Sequence, residues 1–240
     1  MDPSTEDISR IECIILAGGL GTRLRSAVPD LPKCMAPISG KPFIQYLIDY
    51  LLAQGVNRFI FSLGYMHEVI EHFIKDNYPN LDYAVALETE PLGTGGAIYL
   101  ACKEATTTNI LILNGDTMFR VDVKQLLHFH EVAQAQCSIA LKPMENFDRY
   151  GVVELDNNQN ILSFKEKQYY QNGLINGGVY ALDVPFFKAL PFPEKFSFEK
   201  DFLEKYYPDI KMLGQIQNEY FIDIGIPEDF EKAGRELPSF

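Results

Sequence analysis

The 240-residue chain has no tryptophan, only four cysteines and only four histidines, and none of these scarce residues is arranged as a metal centre would need. Cys13, Cys34, Cys102 and Cys137 lie far apart, with no Cys-x-x-Cys pair and no histidine at ligand spacing. Four free thiols in a reducing compartment are expected. His67 and His72 are five apart and His128 and His130 two apart, so neither pair shares a helical face; they read as surface or partly buried neutral groups. No apolar run approaches the ~20 residues that span a bilayer. The start, MDPSTEDISRIEC, is acidic, the opposite of a secretory signal. The expectation is a cytoplasmic protein with no membrane partner. Positive charge is short as well: 21 Lys and Arg stand against 33 Asp and Glu, a net charge of -12, which argues against nucleic acid as a partner. Small anionic substrates stay open, because a pocket sets its own local field. Repeats, low-complexity tracts and linkers are absent too. With 47% hydrophobic residues, the chain can bury a substantial core.

Against that acidic background one stretch has the opposite character. Ala17 to Pro42, AGGLGTRLRSAVPDLPKCMAPISGKP, carries Arg23, Arg25, Lys33 and Lys41 against Asp30, a local charge of +3. Gly18, Gly19 and Gly21 let backbone N–H groups turn toward a ligand with no side chain in the way. A basic, glycine-rich loop between a strand and a helix points to bound phosphate. The dinucleotide-binding fingerprint fails because Leu24 stands where its third glycine belongs, and the Walker form fails because Gly40-Lys41 is followed by Pro42.

Residues 11–16 read as a buried first strand. Pro42 opens a helix that runs up to Gly55, with Phe43, Ile44, Leu47, Ile48 and Leu51 at helical spacing. Strands at 58–63, 81–87 and 109–113 alternate with helices at 67–77, from the glycine-rich EPLGTGGA segment to about Glu104, and at 123–134. Four strand–helix units predict a parallel sheet with right-handed crossovers and ligands at the strands' C-terminal ends. Beyond Cys137 the rhythm changes. Short apolar stretches (138–141, 152–155, 161–164, 174–182), divided by turn residues, predict antiparallel hairpins. Short helices near Pro185 and Ser197, a strand at 220–224 and a helix at 227–236 close the chain. The fold class expected is α/β, a Rossmann-like three-layer α/β/α sandwich with a mixed, mostly parallel central sheet and antiparallel hairpin additions in the second half. Residues 1–240 form one domain in this reading, with the change of rhythm dividing it into halves at 1–135 and 136–240.

The combination AGGLGTRL, Pro32-Lys33 and Gly40-Lys-Pro42 in one loop, followed in order by EPLGTGGA, NGDT, Phe164-x-Glu-Lys167, INGGVY and FIDIGIPEDF, resembles the sugar-1-phosphate nucleotidyltransferases. These enzymes join a nucleoside triphosphate to a sugar 1-phosphate and release pyrophosphate. The likeness runs along nearly the whole chain. Such a reaction needs an electrophilic α-phosphorus, a neutralised leaving group and an in-line phosphate oxygen, so positive charge and positioning carry it.

The resemblance implies a nucleotide-binding half at 1–135, a sugar-binding half at 136–240 and a role for each matching position. Arg23 would hold the triphosphate, and Lys33 would bridge the α-phosphate and the sugar phosphate; these are the catalytic candidates. Ala17, Gly18, Gly19, Gly21, Thr22 and Asn114 fall on the nucleotide side. Gly95 and Gly96 would admit the flat base, with Glu90 at the entrance. Guanine offers two donors to a carboxylate where uracil and thymine offer one, so Glu90 or Glu88 is expected to read guanine. Gly115, Gly151, Glu166, Lys167 and Asn176 fall on the sugar-phosphate side, and Glu199-Lys200-Asp201 line the sugar end or form a solvated helix face. Asp116, which alone reads as a turn or cap residue, and Asp223 match the family's ligands for Mg2+, which needs few carboxylates when phosphates and water complete its octahedron. Phe186, Phe187, Phe192, Phe196 and Phe198 read as core.

Arg25 to Lys33, FDRYG (147–151), LINGG (174–178) and KFSFE (195–199) resemble the branch of the family that acts on D-glycero-α-D-manno-heptose 1-phosphate and GTP. That branch makes a nucleotide-linked sugar for surface glycans. Two alternatives accompany this reading: a sibling that uses another nucleotide and a hexose or aminosugar, and a catalytically silent nucleotide-sugar sensor. Small-molecule substrates are the expected partners, and a homo-oligomer is left open because relatives are often dimers or tetramers.

Overall fold

The computed structural model describes residues 10–19, 28 and 30–237. Strand β1 (Glu12–Leu16) is followed by a 3₁₀ turn at Lys33–Met35, the two-residue strands β2 (Pro37–Ile38) and β3 (Lys41–Pro42), and helix α1 (Phe43–Ala53). Next come β4 (Arg58–Leu63), α2 (His67–Asn77), β5 (Tyr83–Leu87), α3 (Gly93–Ala101), β6 (Asn109–Asn114), β7 (Thr117–Phe119) and α4 (Val123–Ala133). The remainder is β8 (Cys137–Phe147), β9 (Val153–Leu155), β10 (Ile161–Phe164), β11 (Tyr170–Asp183), α5 (Val184–Ala189), a π-helical segment at Phe198–Leu203 running into α6 (Glu204–Tyr206), β12 (Met212–Ile216), β13 (Phe221–Asp223) and α7 (Pro227–Glu236).

A seven-stranded sheet in the order β12-β8-β11-β6-β1-β4-β5 forms the middle layer. The block β6-β1-β4-β5 is parallel, β11 pairs antiparallel with both β6 and β8, and β12 runs parallel to β8. Alternation along each strand divides the core in two. Cys13, Ile15, Phe59 and Phe61 face α1, α2, α4 and α7, whereas Ile14, Ile60, Ile110 and Ile112 face α3, α5 and the aromatic segment Phe196–Leu203. Period-2 strands buried on both faces need two helical layers, and the sandwich follows. The phenylalanines are core: Phe187, Phe198 and Phe202 are buried and contact one another ring to ring.

The units β1-α1-β4-α2-β5 advance across the sheet in one direction. Helix α3 then crosses on the opposite face and delivers β6 to the far side of β1. The strand order therefore reverses between β1 and β6, and the loops leaving their C-terminal ends splay apart into a crevice.

The structure adds three features that the sequence pattern does not predict. The apolar stretches at 138–141 and 174–182 are the inner parts of long strands, β8 with 11 residues and β11 with 14, paired through polar ends such as Asn172 with Glu145. β12 was not anticipated, because MLGQI lacks alternation and is a strand only through its pairing with β8. β7, between Asp116 and α4, is not predicted by the sequence pattern; it exists because β13 pairs with it. The two short helical segments expected near Pro185 and Ser197 are present and capped: Asp183 Oδ1 accepts from the N–H of Phe186 (2.9 Å), and Ser197 Oγ from that of Lys200 (3.2 Å).

Candidate active site

The crevice between β1 and β6 opens into a cleft of about 820 Å3, lined among others by Ala17, Gly18, Gly19, Lys33, Glu88, Glu90, Asn114, Gly115, Asp116 and Gly225. Its floor is a cross-strand row, Asn114–Leu16–Ser62, set by the parallel register. The chain leaves β1 close to the floor: Ala17 N–H donates to Ser62 O (2.9 Å), and Gly115 N–H donates to Leu16 O (2.9 Å). A Cβ on Gly18 would lie 2.7 Å from Glu88 Oε1 and 3.2 Å from Gly64 N. Glycine is required there so that the first turn of the loop can press against β4 and β5. Gly21, Thr22 and Arg23 lie outside the described residues.

The charged end of the cleft is assembled from three distant parts of the chain. β13 pairs with β7 so that Asp223 stands opposite Thr117, and Ile224 N–H donates to Asp116 O (3.0 Å). That pairing sets the Asp116 and Asp223 carboxylates side by side. Lys33 leads the 3₁₀ turn, whose next residues, Cys34 and Met35, are buried and anchor it. Its Nζ contacts Asp116 Oδ2 and lies 3.5 Å from Asp223 Oδ1. Asp223 Oδ1 also accepts the N–H of Gly225 (2.7 Å). The Cys34 thiol is pushed up to about 12, by burial first and by the charge of Asp116 second, so it takes no part as a nucleophile.

Among the described residues, no group of three or more His, Cys, Asp or Glu forms a metal cluster. The pair Asp116 and Asp223 nevertheless suits a hard divalent cation. Both carboxylates already converge on one cationic group, their side chains are 36% and 25% exposed, and phosphate oxygens in the cleft can complete the shell. The histidines stand apart from this site. His130 is buried between Ser138 Oγ and Asn109 Oδ1, and burial pushes it down to about 4, so it is neutral at pH 7.

At the opposite end, Glu88 is half-buried with its carboxyl raised by burial, an effect partly offset by the Leu92 N–H that donates to Oε2 (3.0 Å). Glu90 is exposed at the mouth. Gly95 and Gly96, expected to admit a flat base, instead serve packing. A Cβ on Gly95 would meet the Phe196 ring at 2.3 Å, and one on Gly96 would meet Glu194 O at 2.6 Å. Gly93 and Thr94, the two residues just before them, line the cleft in their place. Thr94 Oγ1 donates to Glu199 Oε2 (2.6 Å), which also accepts from Ser197 Oγ (2.9 Å). Glu199 therefore forms part of the cleft wall instead of a solvated helix face.

The remaining sugar-side candidates lie beyond the cleft lining. Asn176 spans the irregularity in β11, accepting from Gly178 N–H (2.9 Å) and donating to the Tyr180 hydroxyl (3.0 Å). Gly151 is required where the chain passes Lys165 O, 2.3 Å from where a Cβ would be, and so it serves the hairpin crossing. Glu166 and Lys167 are exposed past the end of β10. Sequence reasoning missed Ser62, Gly64 and Tyr65 of the lining. The C-terminal end of the second parallel strand, marked by Gly64, was the signal that could have found them.

Known proteins resemble this chain along nearly its whole length. The chain is 48% identical over 96% of its length to a D-glycero-alpha-D-manno-heptose 1-phosphate guanylyltransferase of Aneurinibacillus thermoaerophilus, covering 100% of that protein. It is 43% identical over 92% of its length to a protein of the same name from Campylobacter jejuni, covering 97% of it. The crystal structure of HddC from Yersinia pseudotuberculosis, also solved in complex with GMP-PN, superposes with a TM-score of 0.85 at 39% identity, over 95% of this chain and 99% of that one. The description of the nucleotidyl transferase family matches residues 12–239, and the chain belongs to that family.

Proposed function

We propose that this enzyme transfers GMP from GTP to D-glycero-α-D-manno-heptose 1-phosphate, releasing pyrophosphate and forming a GDP-linked sugar for surface glycans in the cytoplasm. The observation that carries this reading is 48% identity along essentially the whole of a heptose 1-phosphate guanylyltransferase, joined to a cleft whose two ends carry different chemistry. The half at 1–135 then serves the nucleotide and that at 136–240 the sugar, within one domain. The base lies at the β4/β5 end, where Glu88 offers two oxygens to guanine's two donors, and Glu90 stands at the mouth. The phosphates run along Ala17, Gly18 and Gly19 toward Lys33, with Arg23 holding the β- and γ-phosphates.

An oxygen of the sugar phosphate attacks the α-phosphorus. One P–O bond forms as the bond to the bridging oxygen breaks, and pyrophosphate leaves with that electron pair. No side-chain nucleophile is needed, because the attacking group is already an anion. Lys33 holds the α-phosphate against the incoming sugar phosphate, and preorganised charge lowers the barrier. Asp116 and Asp223 would hold Mg2+, which when bound supplies charge neutralisation to the phosphate oxygens. Asn114 and Gly115 bound the cleft between nucleotide and sugar; Gly151, Glu166, Lys167 and Asn176 are assigned to the sugar by their match to the family's motifs. The test is pyrophosphate release over a matrix of nucleoside triphosphates and sugar 1-phosphates. Release with GTP and the heptose phosphate supports the proposal. Release only with UTP and glucose 1-phosphate, or with no pair, refutes it.

A further inference from the structure

Lys33 occupies a position that its phosphate-holding role does not require. Its ammonium lies between the two carboxylates, in contact with Asp116 Oδ2 and 3.5 Å from Asp223 Oδ1, and is only 12% exposed. The space is tight, since a Cβ on Gly225 would lie 3.2 Å from Nζ and 2.8 Å from Asp223 Oδ1. A divalent cation bonded to both carboxylates needs oxygens at 2.0–2.1 Å if it is magnesium. It cannot share that space with an ammonium group. The backbone of Lys33 is fixed by buried Cys34 and Met35, but the four-carbon stem lets Nζ move without the turn.

We infer that Lys33 has two stations, the Asp116–Asp223 pair and the phosphates, and that divalent cation and Lys33 compete for the first. This inference rests on the metal reading of the two aspartates. Charge explains the coupling. One ammonium leaves two carboxylates with a net -1, whereas a divalent cation neutralises them and releases the ammonium toward anionic substrate. By linkage, whatever draws Lys33 to phosphate raises cation affinity by the same factor that the cation raises phosphate affinity. Lys33 thus ties readiness of the phosphate clamp to occupancy of the carboxylate pair, which disfavours binding of nucleotide without its cation.

The test is binding of Mn2+ alone to the full chain, read from the free-ion electron paramagnetic resonance signal with no nucleotide present. The variants are Lys33→Met, which keeps the apolar stem, and Asp223→Asn. Circular dichroism checks that each is folded. Lys33→Met is expected to bind Mn2+ about two- to fivefold more tightly than wild type, of the order set by displacing a partly exposed ion pair. Asp223→Asn is expected to lose the site. Equal or weaker Mn2+ binding by Lys33→Met, with Asp223→Asn still deficient, overturns the competition and leaves the metal site standing. Wild-type Mn2+ binding by Asp223→Asn overturns the metal reading itself.

Discussion

Replacing Asp223 by asparagine separates stability from chemistry at this site. Asp223 Oδ1 accepts from Gly225 N–H at 2.7 Å, and its ion pair with Lys33 is long, 3.5 Å, and partly exposed. Asparagine keeps an oxygen for the Gly225 bond, so the fold loses only the outer half of a screened ion pair, about 0.2–1 kcal/mol. For a chain of this size that corresponds to a fall in Tm of roughly 1–4 °C. Turnover is affected very differently. One of two charges that hold the cation against the reacting phosphates is removed, and loss of a single preorganised electrostatic group costs about 2.7–4 kcal/mol in the transition state, or 10²–10³ in kcat. The assay pairs a thermal melt with continuous pyrophosphate release at saturating GTP and sugar phosphate. A folded Asp223→Asn protein with a near-native Tm and wild-type kcat would refute the role given to this carboxylate.

Glu88→Gln is expected to raise the KM for GTP by about 10–100-fold, the worth of a hydrogen-bonded charge, with little change for UTP. Glu90→Gln at the exposed mouth should change it less, and an unaltered GTP to UTP preference in both variants removes guanine reading from this loop. Because burial raises the Glu88 carboxyl, GTP affinity should climb as pH rises through that elevated range in wild type and stay flat in Glu88→Gln, as isothermal titration can measure. The folded state holds the Glu88 proton more tightly than the unfolded chain, so Glu88 subtracts stability above the unfolded carboxyl range, and Glu88→Gln should melt at or above the wild-type temperature at pH 7. His130 works in the opposite direction: it is held down to about 4 from 6.5, so the unfolded chain takes up a proton first and stability falls as pH drops below 6.5. The loss from this group amounts to about 2 kcal/mol by pH 5, and denaturant titrations of His130→Asn should lack that increment of acid sensitivity. All four cysteines are buried and free, so a thiol reagent should react with none of them until the protein unfolds; rapid native modification of Cys34 would contradict the packing of the Lys33 turn.

Sequence by itself determined the parts that depend on near neighbours. Parallel strands buried on both faces read as apolar runs, and α1 and α2 read as helices by period. The alternation of these units was enough to place a ligand crevice at the C-terminal ends of the strands. Matching motifs named Lys33, Asp116 and Asp223 as partners. Only the tertiary structure decided how they meet, because the meeting depends on β13, itself legible as a strand, pairing with β7, a three-residue strand with almost no local signal of its own. The same holds for β12, a strand by virtue of β8, and for Gly95 and Gly96, whose missing side chains answer to Phe196 and Glu194, residues a hundred positions away along the chain. A glycine signals that something comes close. Which neighbour comes close is a property of the packed fold, since a Cβ is excluded by atoms from any part of the chain, and local sequence carries no record of them.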